Sequence, residues 1–161
     1  MHCVVVKRSP TGMLCAVARL DHLLLRTVNV RMRILLVEDD ESIREVFKLM
    51  LETESPFADL KVDAAANGQQ AIDLTCKNRP DVVLLDLSMP GEHGFDVFKK
   101  LRSIENCSEL PVIAVTAHNL KDLEAEAVSL GFFGYVTKPI DFDTALFPLL
   151  RKLAEKRPHA A

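Results

Sequence analysis

The sequence has no C-x-x-C pair and no glycine-rich phosphate cradle of the G-x-G-x-x-G or G-x-x-x-x-G-K-[ST] kind. It also has no apolar run near the ~20 residues that cross a bilayer. Each absence removes a class of function. Cys3, Cys15, Cys76 and Cys107 are irregularly spaced and do not cluster with histidine, which argues against a zinc centre or a disulfide framework. They read as reduced thiols, and so as those of a cytoplasmic protein. A formal net charge of −3 gives no overall basic character to attract nucleic acid. The stretch Met13–Leu20 is short, is interrupted by Arg19 and is followed by no convincing small-residue cleavage site, so it is not read as a signal peptide. Repeats, low-complexity tracts and a second domain are likewise missing.

What is present is a chain of 161 residues, 48% apolar and 27% charged, enough to bury one ordinary core without metal or disulfide staples. Its charge is uneven: residues 1–33 carry about +5, leaving about −8 for the remainder. Residues 1–31 form the least regular part. Leu14, Val17, Ala18, Leu24, Leu25 and Val28 allow a weak amphipathic helix. A disordered tail, a basic surface-binding helix and residues upstream of an internal start at Met32 compete here. A tail or a mis-set start is favoured. The expected domain is 32–157, with 158–161 as a C-terminal tail.

From Arg33 the pattern becomes periodic. Ile34–Val37, Leu60–Ala65, Val82–Leu85, Val112–Val115 and Phe133–Val136 are short apolar runs bounded by turn formers, the mark of buried strands. Between and after them lie helical stripes over Glu41–Glu52, Gln69–Lys77, Phe95–Ile104, Leu120–Leu130 and Asp141–Glu155. Asp40 or Ser42 can cap the first, and Gly131 suits the end of the fourth. Five strands alternating with five helices through short loops predict an α/β, doubly wound parallel sheet.

The organising stretch is Pro80–Gly94, in which Asp86 falls where a strand ends and a loop of Pro90, Gly91 and Gly94 begins. In an open parallel sheet, chemistry sits beyond the carboxyl ends of the strands. Right-handed crossovers bring Glu38, Asp39, Asp86, Thr116 and Lys138 to that one edge. Three carboxylates crowded together raise one another's pKa unless neutralised. A hard divalent cation is one remedy and a lysine is another. Such a site suits phosphoryl transfer, where positioning and charge neutralisation do most of the work. Asp86 is the candidate carboxylate nucleophile, Lys138 and the metal hold phosphoryl oxygens, and Thr116 donates one more hydrogen bond.

At these residues the chain resembles the receiver domain of two-component response regulators. The matching pieces, in order, are Val-Glu38-Asp39-Asp, Leu-Leu-Asp86-Leu-Ser-Met-Pro-Gly-Glu-His-Gly, Ala-Val-Thr116-Ala and Tyr135-Val-Thr-Lys138-Pro139. The resemblance implies a flavodoxin-like sheet of order 2-1-3-4-5. It implies Asp86 as the phosphoacceptor, charged by a sensor histidine kinase or a histidine phosphotransfer protein. It further implies magnesium, replaceable by manganese, with Asp39, Asp86 and the Ser88 main-chain carbonyl as ligands and Glu38 one layer out. Lys138–Pro139 is expected as a cis peptide. Thr116 and Tyr135 are the expected switch pair, acting on a downstream protein at the face made by the fourth helix, the fifth strand and the last helix.

The little chain left after that helix leads to the expectation of a stand-alone phosphorelay switch rather than a turnover enzyme. Direct nucleic-acid binding and a membrane span are not expected, and a monomer and a phosphorylation-dependent dimer both stay open. Two competing readings are a phosphohydrolase resembling the haloacid dehalogenase family and a pseudo-receiver. The first expects Asp-x-Asp, but Ser88 occupies the second position and no cap insertion is present. The second is opposed by the intact acidic set. His93 and His118 carry no assigned role.

Overall fold

The computed structural model describes residues 28–117 and 129–156, with side chains from Arg31 onward. Five strands form one parallel sheet: β1 Val28–Val37, β2 Phe57–Ala65, β3 Val82–Asp86, β4 Val112–Thr116 and β5 Gly134–Thr137. Their order is β2-β1-β3-β4-β5. The ends of β1 and β3 are aligned by the pairs Ile34 with Val82 and Val37 with Leu85, and Asp86 pairs with Val115 of β4. β3 and β4 are buried along their whole length, as expected of runs rich in valine, isoleucine and leucine that face helices on both sides. β1 starts at Val28, ahead of the apolar run, and its first residues extend the pairing with β2 from Phe57.

Among the described residues, two helices cover each face. α1 (Glu41–Glu54) is capped by Asp40, whose Oδ1 accepts from the Ile43 N–H at 2.9 Å. α2 (Gly68–Lys77) is capped in the same way by Asn67, which accepts from the Gln70 N–H at 2.9 Å. α3 is Gly94–Ser103 and α4 is Phe147–Glu155. One core layer joins Ile34 and Leu36 to Phe47 and Leu51 of α1 and Leu150 of α4. The other joins Leu35, Val37 and Leu85 to Ala71 of α2 and to Val97, Phe98 and Leu101 of α3. Alternate residues of β1 serve opposite layers, and each fully buried branched side chain contributes about 1.5–3 kcal/mol.

The sheet order agrees with the sequence reading, but the helix count does not. Among the described residues there are four α-helices, not five. The helix expected over Leu120–Leu130 lies outside the described residues from 120 to 128, all but its last two positions. Ser129 and Leu130 are helical and Gly131 follows at φ 89°, a left-handed conformation that glycine adopts without a side-chain penalty. The last helix is also shorter than Asp141–Glu155. A π-helical turn, Phe142–Leu146, precedes α4. Pro148 accounts for the change, because it has no N–H for the Thr144 carbonyl and its ring crowds that carbonyl. The turn widens instead: Leu146 N–H reaches Asp141 O at 3.2 Å, and Phe147 N–H reaches Phe142 O.

Among the described residues no helix is long and apolar enough to cross a membrane.

Candidate functional site

Glu38 and Asp39 follow the last residue of β1, and Asp86 is the last residue of β3. Because β1 and β3 are hydrogen-bonded neighbours in register, these carboxylates emerge side by side. One oxygen from each of Glu38, Asp39 and Asp86 lies within 4.8 Å of the others. Glu38 and Asp86 are 1% and 4% exposed. Asp39 is the most open of the three.

Lys138, one residue beyond β5, completes the charge balance. Its Nζ donates to Glu38 Oε2 at 2.6 Å and to Asp86 Oδ2 at 2.7 Å. Its backbone N–H donates to the Thr116 carbonyl at 2.8 Å, which fixes where the side chain starts. The Lys138–Pro139 peptide is cis. The other Asp86 oxygen, Oδ1, accepts from the Ser88 N–H at 2.8 Å, an Asx-type turn that folds the loop back over its own aspartate.

The titration behaviour follows from burial and charge. Burial pushes the Glu38 carboxyl above its usual range, and neighbouring Asp86 and Asp39 push the same way against the opposing pull of Lys138. Burial also works against the charged form of Lys138. Its hydrogen bonds to Asp86 and Glu38, with their charges, outweigh that and hold the ammonium above its ordinary value. One ammonium against three carboxylates leaves a net charge of about −2, and the donors are all oxygens. A hard divalent cation fits that set.

Thr116 ends β4 and is 4% exposed, while its register neighbour on β5 is Thr137. Tyr135 pairs with Ala114, two residues before Thr116 and on the same face. It is half-buried and packs against the α2–α3 core layer. Glu38, Asp39, Asp86 and Lys138 therefore come together, the Ser88 backbone joins them, Thr116 lies at the adjoining strand end, and Tyr135 stands behind it. His118 lies outside the described residues.

Several contributors escaped the sequence reading. Arg44, one turn into α1, donates from Nη1 to the carbonyls of Glu38 (2.9 Å) and Asp39 (3.1 Å), pinning the acidic turn. Its position four residues after the cap was the available signal, since helical side chains lean toward the N-terminus. Glu92 accepts from the Gly68 N–H at 3.0 Å and from Lys100 Nζ at 2.7 Å, tying the loop after Asp86 to the start of α2. No local pattern announces a contact across 24 residues. An apolar groove of about 470 Å³ opens beside Lys138, with Ile43, Val46 and Met50 on one wall and Pro139 and Phe142 on the other.

The profile of the response regulator receiver domain matches residues 34–147. The chain belongs to this family. Receiver domains act in two-component phosphorelays by aspartyl phosphorylation. They catalyse their own phosphorylation and dephosphorylation without being turnover enzymes, and membership implies a cognate histidine kinase or phosphotransfer protein as partner. Regulatory protein AtoC of Escherichia coli (strain K12) is 38% identical over 111 residues, which are 69% of this chain and 23% of AtoC. Sporulation initiation phosphotransferase F of Bacillus subtilis (strain 168) is 35% identical over 111 residues, 69% of this chain and 85% of that protein. The chain therefore spans under a quarter of the first relative and most of the second. Among solved structures, a receiver domain from Colwellia psychrerythraea superposes with a TM-score of 0.69 at 32% identity, covering 78% of this chain and 99% of that one.

Proposed function

We propose that residues 32–157 form a phosphorylation switch in which Asp86 is the phosphoacceptor. The observation that carries this reading is the Lys138 ammonium shared between Asp86 and Glu38, with Asp39 beside them at one sheet edge. Asp39, Asp86 and the Ser88 carbonyl would hold magnesium, or manganese in its place, with Glu38 acting one layer out. That ion would supply charge neutralisation at the phosphoryl oxygens. Asp86 forms a P–O bond to the phosphorus of a phosphohistidine as the donor's P–N bond breaks. The electron pair stays on the imidazole nitrogen, which takes up a proton. Lys138 binds one phosphoryl oxygen and the Thr116 hydroxyl another.

The partner that delivers the phosphoryl group is a sensor histidine kinase or a histidine phosphotransfer protein. Exposed Val46 and Leu49 and the groove beside Lys138 offer it apolar surface next to the reacting carboxylate. In the phosphorylated state Thr116 moves onto the phosphoryl group and Tyr135 fills the space it leaves. The altered surface around β5 and α4 then meets a downstream protein.

The test is intact-protein mass after incubation with magnesium and acetyl phosphate, beside Asp86→Ala. Gain of one phosphoryl group, lost in the variant and in chelator, is expected. A gain that survives Asp86→Ala would move the acceptor elsewhere and overturn the assignment.

A further inference from the structure

The three carboxylates of the acidic edge are not held alike. Glu38 and Asp86 share the Lys138 ammonium at 2.6 and 2.7 Å, and Asp86 also accepts from the Ser88 N–H at 2.8 Å. Asp39 has no such tether. Among the described residues its carboxylate makes no hydrogen bond or ion pair, although one oxygen lies within 4.8 Å of the other two acids. The like charge of Glu38 opposes its staying there. Its place in the cluster therefore depends on the main chain that carries it.

Arg44 holds that main chain. Its Nη1 donates to the Glu38 carbonyl at 2.9 Å and to the Asp39 carbonyl at 3.1 Å. These carbonyls belong to the two peptide planes on either side of the Asp39 Cα. Because each peptide is planar, holding both planes fixes the φ and ψ between them, and with them the direction of the Asp39 Cα–Cβ bond. Among the described residues no backbone N–H reaches either carbonyl, so no strand ladder does this instead. Arg44 is itself well seated. Its backbone N–H donates to the Asp40 carbonyl at 2.9 Å in the first turn of α1, and helical side chains lean back toward the N-terminus.

We propose that Arg44 is a positioning residue for the divalent cation, acting through Asp39. The proposal rests on the reading of Asp39 and Asp86 as magnesium ligands. Charge and positioning here predict opposite signs. A guanidinium beside a cation site repels the ion, so its removal tightens binding if charge decides. Removal of a brace leaves Asp39 to be ordered by the ion itself, which weakens binding. The bridge across both peptides makes the second effect the larger.

The experiment titrates magnesium into the full chain after chelator treatment, at constant ionic strength, following the amide shifts of Asp39 and Ser88, with urea midpoints measured alongside. Arg44→Met is expected to bind magnesium about tenfold more weakly, the lower end of what losing a group that orients a metal ligand costs. Leu51→Val, which loosens the buried side of the same helix, is expected to lower the urea midpoint and leave magnesium affinity at the wild-type value. Equal or tighter binding by Arg44→Met overturns the proposal and leaves the metal site standing. Equal weakening in Leu51→Val overturns it too, by tracing the effect to helix stability. A wild-type protein with no saturable magnesium response overturns the metal reading itself, and this proposal with it. Arg44→Gln serves as a second variant should Arg44→Met fold poorly.

Discussion

Gly94 is packed against the backbone of Asp86: a Cβ at position 94 would stand 2.6 Å from the Asp86 carbonyl oxygen. The same atom would meet the Cα of Leu87 at 2.6 Å. Both obstacles are main chain, so no side chain can swing aside to make room. The start of α3 can approach the end of β3 this closely only with glycine there.

Gly94→Ala should therefore lower stability by about 1–3 kcal/mol, the usual cost of overpacking a tight site. Because the atom displaced belongs to Asp86 itself, phosphorylation should slow by more than stability alone explains. Urea unfolding and the rate of phosphoryl gain from acetyl phosphate measure the two effects. An Asp86 reaction rate at the wild-type value in a destabilised Gly94→Ala protein would separate the packing from the chemistry.

Glu92 makes a second bridge, from the same loop to α2. Glu92→Ala leaves the Gly68 N–H without its carboxylate and should cost about 1–2 kcal/mol. Glu92→Gln keeps an acceptor in place and should recover most of that loss. If both variants unfold at the same urea concentration, the ion pair with Lys100 rather than the Gly68 bond carries the effect.

Metal-free protein should show two pH-dependent losses at the acidic edge. Glu38 is held above its usual carboxylate value, so its neutral form is favoured by folding. Its contribution is complete below the unfolded value of 4.5 and is lost as pH rises through the folded one. Lys138 is held above 10.5, so its contribution persists at neutral pH and is lost as alkali passes its raised value. Urea midpoints across pH should fall in both windows. The acid-side fall should vanish in Glu38→Gln and the alkaline fall in Lys138→Met. A wild-type profile that parallels Glu38→Gln throughout would mean that burial does not strain this carboxylate.

How far these features could be read in advance depended on their range along the chain. Ile34–Val37 and Val82–Leu85 announced buried strands because every residue in them is apolar, while the strand order was what the resemblance to receiver domains implied. The meeting of Glu38, Asp39, Asp86 and Lys138 followed from strand ends sharing one edge. What stayed hidden was set by packing between distant segments. The bond from Gly68 to Glu92, the close approach of Gly94 and the return of Arg44 to the acidic turn need three-dimensional distances. The π-turn before α4 had a local cause in Pro148, but an apolar stripe over Asp141–Glu155 masks it, since the stripe survives the change of pitch.

The aromatic content supplies the last test. Tyr135 is the chain's one tyrosine, and tryptophan is absent, so intrinsic emission reports on this single ring. The ring stands two register positions behind Thr116, on the same face, half-buried against the core. If phosphorylation draws Thr116 toward Asp86, Tyr135 moves inward and its emission and quenching by added acrylamide should change together. Quenching should fall, because the ring becomes less accessible. The change should appear with acetyl phosphate and magnesium, and be absent in Asp86→Asn. Thr116→Ala should still gain the phosphoryl group, more slowly, while the fluorescence response is much reduced. Unchanged quenching in protein that mass spectrometry shows to be phosphorylated would sink the coupling between Thr116 and Tyr135, and leave Asp86 chemistry intact.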